Sequence, residues 1–357
     1  MTGALRIDGQ ELPIEAGDTV LSVAARAGIE IPTLCHDPRL GAAGACRSCL
    51  VEVAGEPRLS AACTRKAQEG MVVDTQCERV ERHRRNLLAL YLADHPAARP
   101  LSGSSELFDM ADRVGAPRDW GRLESRRDQR VDPNHYVHFD AERCILCARC
   151  VRYCDEVEAV NAIALAGRGP ETTIATADQR SLLDTSCELC GGCIDTCPTG
   201  AMSEKVQLLR GAVEDARLEK VRTTCGYCGV GCQVDLNVDR RAGEGGRVVK
   251  VTSPEPGSTV NDGNLCVKGR FAYDFLDHED RLTTPLVRDA GGVLREVSWD
   301  EALDRAAEGL LAVKRRHDAH ALGFVSSSRC TMEENYLVQK LARAAFGTNN
   351  CHQCAAT

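Results

Sequence analysis

Residues 144–154 read CILCARCVRYC, and residues 187–198 read CELCGGCIDTCP. In each stretch, gaps of two, two and three residues separate four cysteines, so one pattern occurs twice. Such an internal repeat predicts one structural unit built twice. Closely spaced cysteines can bring their thiolates to one small volume, where soft metal ions bind. Residues 135–215, which contain both copies, are therefore expected to fold around metal.

The repeated spacing is typical of two-cluster bacterial ferredoxins, in which the fourth cysteine of each run ligates the other [4Fe–4S] cluster. One four-iron cluster is predicted to take Cys144, Cys147, Cys150 and Cys197. The other is predicted to take Cys187, Cys190, Cys193 and Cys154. Asp155 stands where proline usually follows the fourth cysteine, a small departure. Two zinc sites are the alternative, which a repeated pattern of eight cysteines disfavours.

Another set of cysteines lies in a β-rich segment, residues 1–78. Its gaps are ten, two and thirteen residues, and a Gly/Ala-rich loop at 41–45 lets the backbone wrap closely around a cluster. We interpret it as a [2Fe–2S] site in a β-grasp ferredoxin, although plant-type ferredoxins have four residues in place of the ten. A zinc site is the alternative, but such sites commonly use two closely spaced pairs. The predicted ligands are Cys35, Cys46, Cys49 and Cys63.

The last set has gaps of two, three and thirty-three residues and lies among glycine-rich turns in residues 220–275. We predict a third [4Fe–4S] cluster here, with zinc as the alternative. Lys268 lies two residues after the last cysteine, beside the predicted cluster, although such a lysine taken alone is more often a solvated charge. The predicted ligands are Cys225, Cys228, Cys232 and Cys266.

The composition limits the class of protein. The chain has 357 residues, a formal net charge of −8 and no basic stripe, which argues against nucleic acid as a partner. It has no apolar stretch long enough to predict a membrane span, and its first residues lack the features of a secretory signal. We therefore expect a cytoplasmic protein, in which reduced thiols favour metal ligation over disulfides.

Four of the twenty cysteines lie outside these sets. Cys77 and Cys330 are expected to be small buried side chains. Cys351 and Cys354 could be a fragment of another metal or redox site. His95 is expected to take an ordinary surface position.

Hydrophobic periodicity predicts the local structure of the first 134 residues. Asp18 is predicted to cap a helix that ends at Arg26. Residues 80–92 are predicted to form an amphipathic helix, and residues 96–134 read as irregular linker with room for one helix.

The last eighty residues change character. Ser298 and Thr331 each open a capping box, so each is predicted to start a helix. A short apolar strand is predicted between them, at 322–325. Helix, strand and helix in this order predict the beginning of an α/β layer.

With these residues in place, the chain resembles the alpha (catalytic) subunit of cytoplasmic formate dehydrogenases that depend on molybdenum or tungsten. Residues 1–215 also resemble the large iron–sulfur subunit of NADH-quinone oxidoreductase and the iron-only hydrogenases. The segments that carry the first resemblance are 224–232 (TCGYCGVGC), 265–269 (LCVKG), 328–336 (SRCTMEENY) and 347–350 (GTNN).

The resemblance implies an α+β multidomain chain. Its expected parts are a β-grasp [2Fe–2S] ferredoxin domain (1–78), a helical segment and linker corresponding to a degenerate cluster region of one histidine and three cysteines (79–134), a two-cluster [4Fe–4S] ferredoxin domain (135–215), a small [4Fe–4S] domain of the bis-molybdopterin guanine dinucleotide type (220–275) and the start of an α/β molybdopterin oxidoreductase domain (276–357).

The resemblance also implies cofactors and partners. Molybdenum or tungsten, held by bis-molybdopterin guanine dinucleotide, would act on formate or CO2. One [2Fe–2S] and three [4Fe–4S] clusters would pass electrons to a flavin- and NAD-binding diaphorase-type subunit or to a ferredoxin. In that family the lysine matching Lys268 lies between the fourth cluster and the pterin.

Two departures from the family pattern matter. His95 resembles the start of a motif in which one histidine and three cysteines bind a further cluster, but no cysteine lies between Cys77 and Cys144, so this cluster is expected to be absent. The family's metal-ligating cysteine or selenocysteine is expected immediately after Thr357, so no catalytic residue is predicted within the chain. Because selenocysteine uses a codon otherwise read as stop, we hypothesise termination at such a codon.

Two other functions stay open. The chain could be a stand-alone electron carrier, since it has cluster motifs without the terminal metal ligand. It could also be the large iron–sulfur subunit of NADH-quinone oxidoreductase, which explains residues 1–215 well and the tail less well.

Overall fold

The computed structural model describes residues 3–100, 105–124, 127, 129–211, 213–243 and 245–354. The chain divides into two compact units. The first contains 1–219, 237–250 and 264–267, and the second contains 220–236, 251–263 and 268–357. None of the helices in the described part is both long and apolar enough to cross a membrane.

The first unit begins with a five-stranded mixed sheet in the order β2-β1-β5-β3-β4. Asp8 and Gly9 both have positive φ, which forms the tight turn of the β1–β2 hairpin. One face of the sheet packs on an apolar core that includes Leu5, Ile7 and Val51. The strands are β1 (Ala4–Ile7), β2 (Gln10–Pro13), β3 (Leu50–Val53), β4 (Ser60–Ala61) and β5 (Val72–Asp74).

Helix α1 (Val20–Arg26) ends where the sequence predicts, but its cap is different. Thr19, not Asp18, is the N-cap: its hydroxyl accepts from the Ser22 N–H, and the Ser22 hydroxyl accepts from the Thr19 N–H. Asp18 instead forms an ion pair with Arg26 at 2.6 Å. The capping prediction was therefore wrong by one residue, because a reciprocal capping box occupies the first turn.

Two helices follow the sheet and pack together: α2 (Glu78–Ala93) and α3 (Glu106–Val114). The amphipathic helix predicted at 80–92 is confirmed. Ser105 caps α3, and Gly115 ends it with a left-handed backbone. This helix lies within the segment predicted to be mostly irregular.

His95, after α2, is 2% exposed. Its ring packs edge-on against Phe108 of α3, with ring centroids 5.4 Å apart, and its Nδ1 lies 3.0 Å from the Pro96 carbonyl. The surface position predicted for His95 was therefore wrong, because α3 covers it. Cys77 and Cys330 are half-buried instead of buried.

The repeated cysteine region consists of short elements joined by turns. Strands β6 and β9 pair antiparallel, as do β7 and β8. Helix α4 continues directly into a π-helical turn, Tyr153–Val157. The elements are β6 (Val137–Phe139), α4 (Arg149–Arg152), β7 (Ala164–Ala166), β8 (Thr173–Ala175), α5 (Gly192–Asp195), β9 (Met202–Glu204) and α6 (Lys205–Arg210).

The next elements flank the last cysteine set. They are β10 (Glu219–Thr224), β11 (Gln233–Asp239), β12 (Arg247–Thr252) and α7 (Val267–Phe271). Short 3-10 turns lie at Ala141–Arg143, Gly169–Glu171, Ala177–Gln179, Leu182–Asp184, Asp215–Arg217, Asp274–Leu276 and Ala319–Ala321.

The end of the second unit has the predicted helix–strand–helix order. Ser298 and Thr331 cap α8 and α9, and α9 continues as a π-helical turn, Leu341–Phe346. The predicted capping box is complete only at Thr331, because the Glu301 side chain pairs with Arg295 instead. The strand between them starts two residues later than predicted, and it pairs in parallel with a final strand. The elements are β13 (Leu286–Arg288), β14 (Leu294–Glu296), α8 (Trp299–His317), β15 (Phe324–Ser327), α9 (Met332–Lys340) and β16 (Cys351–Cys354).

Candidate iron–sulfur centres

The four cysteines of the predicted two-iron site are all buried, each at most 2% exposed. Their sulfurs lie in two pairs. The Cys46 N–H donates to the Cys35 sulfur at 3.4 Å, and the sulfurs of Cys49 and Cys63 lie 3.5 Å apart. Arg47, between the two middle cysteines, has a left-handed backbone (φ 60°) that turns the loop sharply. The fold thus brings three cysteines that precede β3 close to Cys63, which follows β4.

Hydrogen bonding distinguishes the two thiols of each pair. Hydrogen bonding from Cys35 lowers the pKa of Cys46 although burial opposes ionisation, and the Ser48 hydroxyl, 3.1 Å away, adds to this. The hydrogen bond from Cys49 likewise lowers the pKa of Cys63. Because the thiolate is the metal ligand, these hydrogen bonds favour the form of the sulfur that would bind iron.

The structure brings Cys197, from the second run, beside the first run. Burial raises the pKa of Cys144 to about 11 and that of Cys147 to about 12, and in both cases Cys197 is the sulfur that raises it most. Cys150 is affected in the same way, by burial first and Cys197 second. The fourth cysteine of the second run therefore lies beside the first run, and its ligation of a cluster there stays a prediction.

The complementary set surrounds a cavity of about 400 Å³. Its wall includes Tyr153 and Met202 beside the cysteines. Burial is the main cause of the raised pKa of Cys187, and the sulfur of Cys154, from the first run, raises it further. The cysteines in the wall are Cys154, Cys187, Cys190 and Cys193, the set predicted for one cluster.

The two runs share one backbone geometry. Leu146 and Leu189 occupy the same place in the two runs and both have left-handed φ, 55° and 54°. In each run this residue's N–H points at the sulfur two residues before it, at 3.4 Å. N–H groups also point at the fourth sulfurs, from Ala162 to Cys154 at 3.3 Å and from Met202 to Cys197 at 3.4 Å. N–H donors stabilise thiolate charge, so both sites suit metal-bound sulfur.

The two-iron site adjoins the first four-iron set. Cys35, Cys46 and Cys147 belong to one buried apolar cluster. Tyr91 of α2 donates its hydroxyl proton to the Cys46 carbonyl at 3.1 Å. Burial raises the pKa of Tyr91, and the sulfurs that add to this are Cys46, Cys35 and Cys147. Tyr91 therefore lies between the two sets.

Charged side chains hold these neighbouring loops together. Arg152 donates to the carbonyl oxygens of Cys35 and Gly41, and Glu156 accepts from the Gly41 N–H at 2.6 Å. Arg149, 8% exposed, contacts the Glu106 carboxylate at 2.9 Å. The helix that contains Cys150 is thus fixed to the loop that carries Cys35.

Tyr153 marks another junction. Tyr153 is 2% exposed, and its hydroxyl oxygen lies within hydrogen-bond distance of two acceptors, Glu158 at 3.2 Å and Asn264, two residues before Cys266. Gly192, beside Cys193, faces the ring so closely that a Cβ there would lie 1.9 Å from a ring carbon. Tyr153 therefore connects a four-iron set to the segment that carries Cys266.

The last set is distributed over both units. Cys225, Cys228 and Cys232 belong to the second unit, where the Cys225 N–H donates to the Cys232 carbonyl at 2.8 Å. Cys266 belongs to the first unit and is exposed. Lys268 is exposed on α7. Ligation by this set, like that by the other three, stays a prediction.

Within the described ranges, no three His, Cys, Asp or Glu side chains converge as they would on one ion.

Sequence reasoning missed Arg84, Tyr91, Arg152 and Tyr153. Arg84 and Tyr91 lie seven positions apart on α2, the spacing of one helix face, so the pattern contained that signal. Tyr153 directly precedes a predicted ligand, but nothing in the sequence indicates its contact with Asn264.

Four family models match successive parts of the chain. They are "2Fe-2S iron-sulfur cluster binding domain" at 4–78, "NADH-quinone oxidoreductase subunit 3, ferredoxin-like domain" at 134–203, "Molybdopterin oxidoreductase Fe4S4 domain" at 218–278 and "Molybdopterin oxidoreductase" at 281–357.

Curated relatives match nearly the whole chain. The NADPH-Fe(3+) oxidoreductase subunit alpha of Geobacter sulfurreducens is 36% identical over 97% of this chain. An NADH-quinone oxidoreductase subunit of Rhizobium meliloti is 39% identical over 96%. The putative formate dehydrogenase YrhE of Bacillus subtilis is 29% identical over 99%. The chain spans 40%, 39% and 39% of these relatives' own lengths.

A solved structure is also similar. It is a chain of an NAD+-reducing [NiFe]-hydrogenase in the H2-reduced state, with 32% sequence identity and a TM-score of 0.52. The match covers 57% of this chain and 88% of that one.

Proposed function

We propose that this chain belongs to the molybdopterin oxidoreductase family with iron–sulfur domains, and that it is the electron-transfer part of a formate dehydrogenase alpha subunit. Its domains are those of an iron–sulfur oxidoreductase. In the proposal, sixteen cysteines hold one [2Fe–2S] and three [4Fe–4S] clusters. Electrons pass between a molybdenum or tungsten pterin site, where formate and CO2 interconvert, and a flavin- and NAD-linked partner.

The observation that carries the proposal is the sequence of contacts between neighbouring cysteine sets in the first unit. Tyr153 joins the Cys266 segment to the set that contains Cys154. Burial is the largest cause of the raised pKa of Cys150. The sulfur of Cys193, from the other set, also raises it, with a smaller effect than Cys197 and Cys147. Cys147 shares an apolar cluster with the two-iron site. Sites in such contact favour an ordered relay over four independent structural metals.

The relay gives each end of the chain a role. The Cys225 set would exchange electrons with the pterin, beside Lys268, and the two-iron set would exchange them with the partner. The hard chemistry belongs to the cofactor, while the protein sets position and potential. Relatives named for NADH-quinone oxidoreductase and an NAD+-reducing hydrogenase support an NAD-linked partner. A cytoplasmic location, where thiols stay reduced, is part of the proposal.

Formate as the substrate is supported by the relative named as a putative formate dehydrogenase, which matches 99% of the chain. A second candidate has its own support. The 39% identical NADH-quinone oxidoreductase subunit and the ferredoxin-like family model at 134–203 favour a role as the large iron–sulfur subunit of such a complex. Both candidates require the same clusters and differ in the electron donor.

The first experiment tests the clusters. The chain would be purified without oxygen and assayed for iron, sulfide and zinc, with EPR of the reduced protein. We expect about 14 iron atoms per chain, the sum for one two-iron and three four-iron clusters. Cys46→Ser should remove the two-iron signal, whereas the matched variant Cys77→Ser, outside the sets, should retain it. Zinc in place of iron would refute the proposal.

The second experiment tests the donor. The chain and any longer product of its gene would be mixed with formate, or with NADH and the flavin-binding partner, and the reduced clusters followed by EPR. Reduction by formate in a product that contains molybdenum or tungsten supports the first candidate. Reduction by NADH and partner, with no response to formate in a molybdenum- or tungsten-loaded product, supports the second.

A further inference from the structure

Arg84 is a buried arginine on α2, 8% exposed, that forms no ion pair within the described part of the chain. Its guanidinium donates to three backbone carbonyls instead. They are those of Ser48 at 3.4 Å, Leu50 at 3.3 Å and Thr75 at 2.8 Å. Ser48 and Leu50 stand on either side of Cys49, so the cation lies against the loop that carries this predicted ligand.

Burying an uncompensated charge is costly. Burial lowers the pKa of Arg84. The carboxylates of Glu81 and Asp8 are exposed to solvent, which screens their charges. In the protein interior Arg84 lies against the loop of the predicted two-iron site, because it contacts the carbonyls on both sides of Cys49. A cluster bound there would supply the negative charge that this buried cation lacks.

We propose that Arg84 is the internal counter-charge of the two-iron cluster, which it positions and whose reduction potential it raises. The inference rests on the proposed function only in that the Cys35 set binds a [2Fe–2S] cluster. Such a cluster with four thiolates carries net negative charge, which grows when it accepts an electron. A fixed cation in a low-dielectric environment favours the more negative, reduced state.

The position of Arg84 makes it specific to one cluster. Its three acceptors flank Cys49 or end the neighbouring strand β5, whereas Tyr91, two turns further along α2, contacts the Cys46 carbonyl near the first four-iron set. The Arg84 charge is thus on the side of the two-iron site away from the four-iron set. It should alter the potential of the two-iron cluster and leave the four-iron potentials nearly unchanged.

The test is a redox titration of the whole chain, followed by EPR, for wild type, Arg84→Gln, Arg84→Met and Arg84→Lys. The matched control is Arg82→Gln, which removes an exposed arginine of the same helix. We expect a more negative two-iron potential in both neutral variants, a potential near wild type in Arg84→Lys, and no change in the control. A purely structural role would lower cluster content without moving the potential of the clusters that remain.

Each outcome separates this inference from the proposed function. Wild-type protein without a two-iron signal refutes the proposed function and the inference with it. A normal signal with equal potentials in wild type and the neutral variants refutes the inference alone. If neither neutral variant retains the cluster, Arg84→Lys decides: a potential near wild type supports a counter-charge, and a clearly lowered one refutes it in favour of hydrogen bonding.

Discussion

Gly192→Ala should damage one four-iron site selectively. A Cβ at this position would lie 1.9, 2.4 and 2.6 Å from three carbons of the Tyr153 ring. Ordinary contact begins at 3.4 Å, so ring and helix must separate by about 1.5 Å in an interior packed as densely as a crystal. The ring cannot move away freely, because it is buried and its hydroxyl is bonded to Glu158 and Asn264.

The magnitude follows from this geometry. Overpacking a core usually costs about 1–3 kcal/mol, and we expect the upper end here. The displaced segments carry Cys154 on one side and Cys193 on the other, which belong to the same predicted site. The assay is iron content, with the rate at which a chelator removes iron from the purified protein. We expect about four iron atoms fewer per chain, or much faster loss of one cluster.

The control is Gly309→Ala on the exposed side of α8, where a Cβ meets nothing within 4 Å. Alanine is a better helix former than glycine by about 1 kcal/mol, so this variant should be unchanged or slightly more stable. The reasoning is refuted if Gly192→Ala keeps both its iron and its resistance to chelator at wild-type values.

Three further predictions concern the same region. Cys197→Ser should remove the EPR signal of the cluster at the first run, although this cysteine lies in the second run. Loss of the signal of the Cys187 set instead would contradict the proposed exchange of the fourth cysteines. In the metal-free chain, the pKa values of Cys144 and Cys147 are raised from 9.0 to about 11 and about 12. Stability from these protonated thiols is therefore complete below pH 9 and lost as the pH rises through 11 to 12; a midpoint of thermal unfolding that is flat from pH 8 to 12 would count against this. Arg149→Met should lower the free energy of unfolding by about 1 kcal/mol, because the Glu106 side chain is 45% exposed and water can solvate it once its partner is lost, whereas the exposed Arg82→Met should change it little.

The sequence indicated how the cysteines group more clearly than it indicated the side chains around them. The spacing of the two runs predicts that Cys197 groups with the first run, and the structure places it near Cys144 and Cys147. Cluster ligation by this group stays a prediction. The helix around residues 80–92 followed from its periodicity. The predicted cap of α1 was wrong because two neighbouring side chains, Asp18 and Thr19, can both cap a helix.

Other features depended on contacts distant in sequence. His95 is buried because α3, which starts eleven residues later, packs over it. Arg84 was one of several arginines on an amphipathic helix, and only the fold shows that it faces the carbonyls beside Cys49. Pairwise contacts of this kind leave no local pattern, so they could not be predicted from the sequence.

The proposed exchange of Cys154 and Cys197 between the two runs would have a consequence for how the domain evolves and how it is damaged. In the proposed ligation each cluster takes one cysteine from the other run, so neither cluster site is complete within a single run. Neither run could be excised, duplicated alone or transplanted as an independent module, and oxidative damage that opens one centre would loosen its neighbour. The two cysteine runs should therefore be inherited together and lose their clusters together.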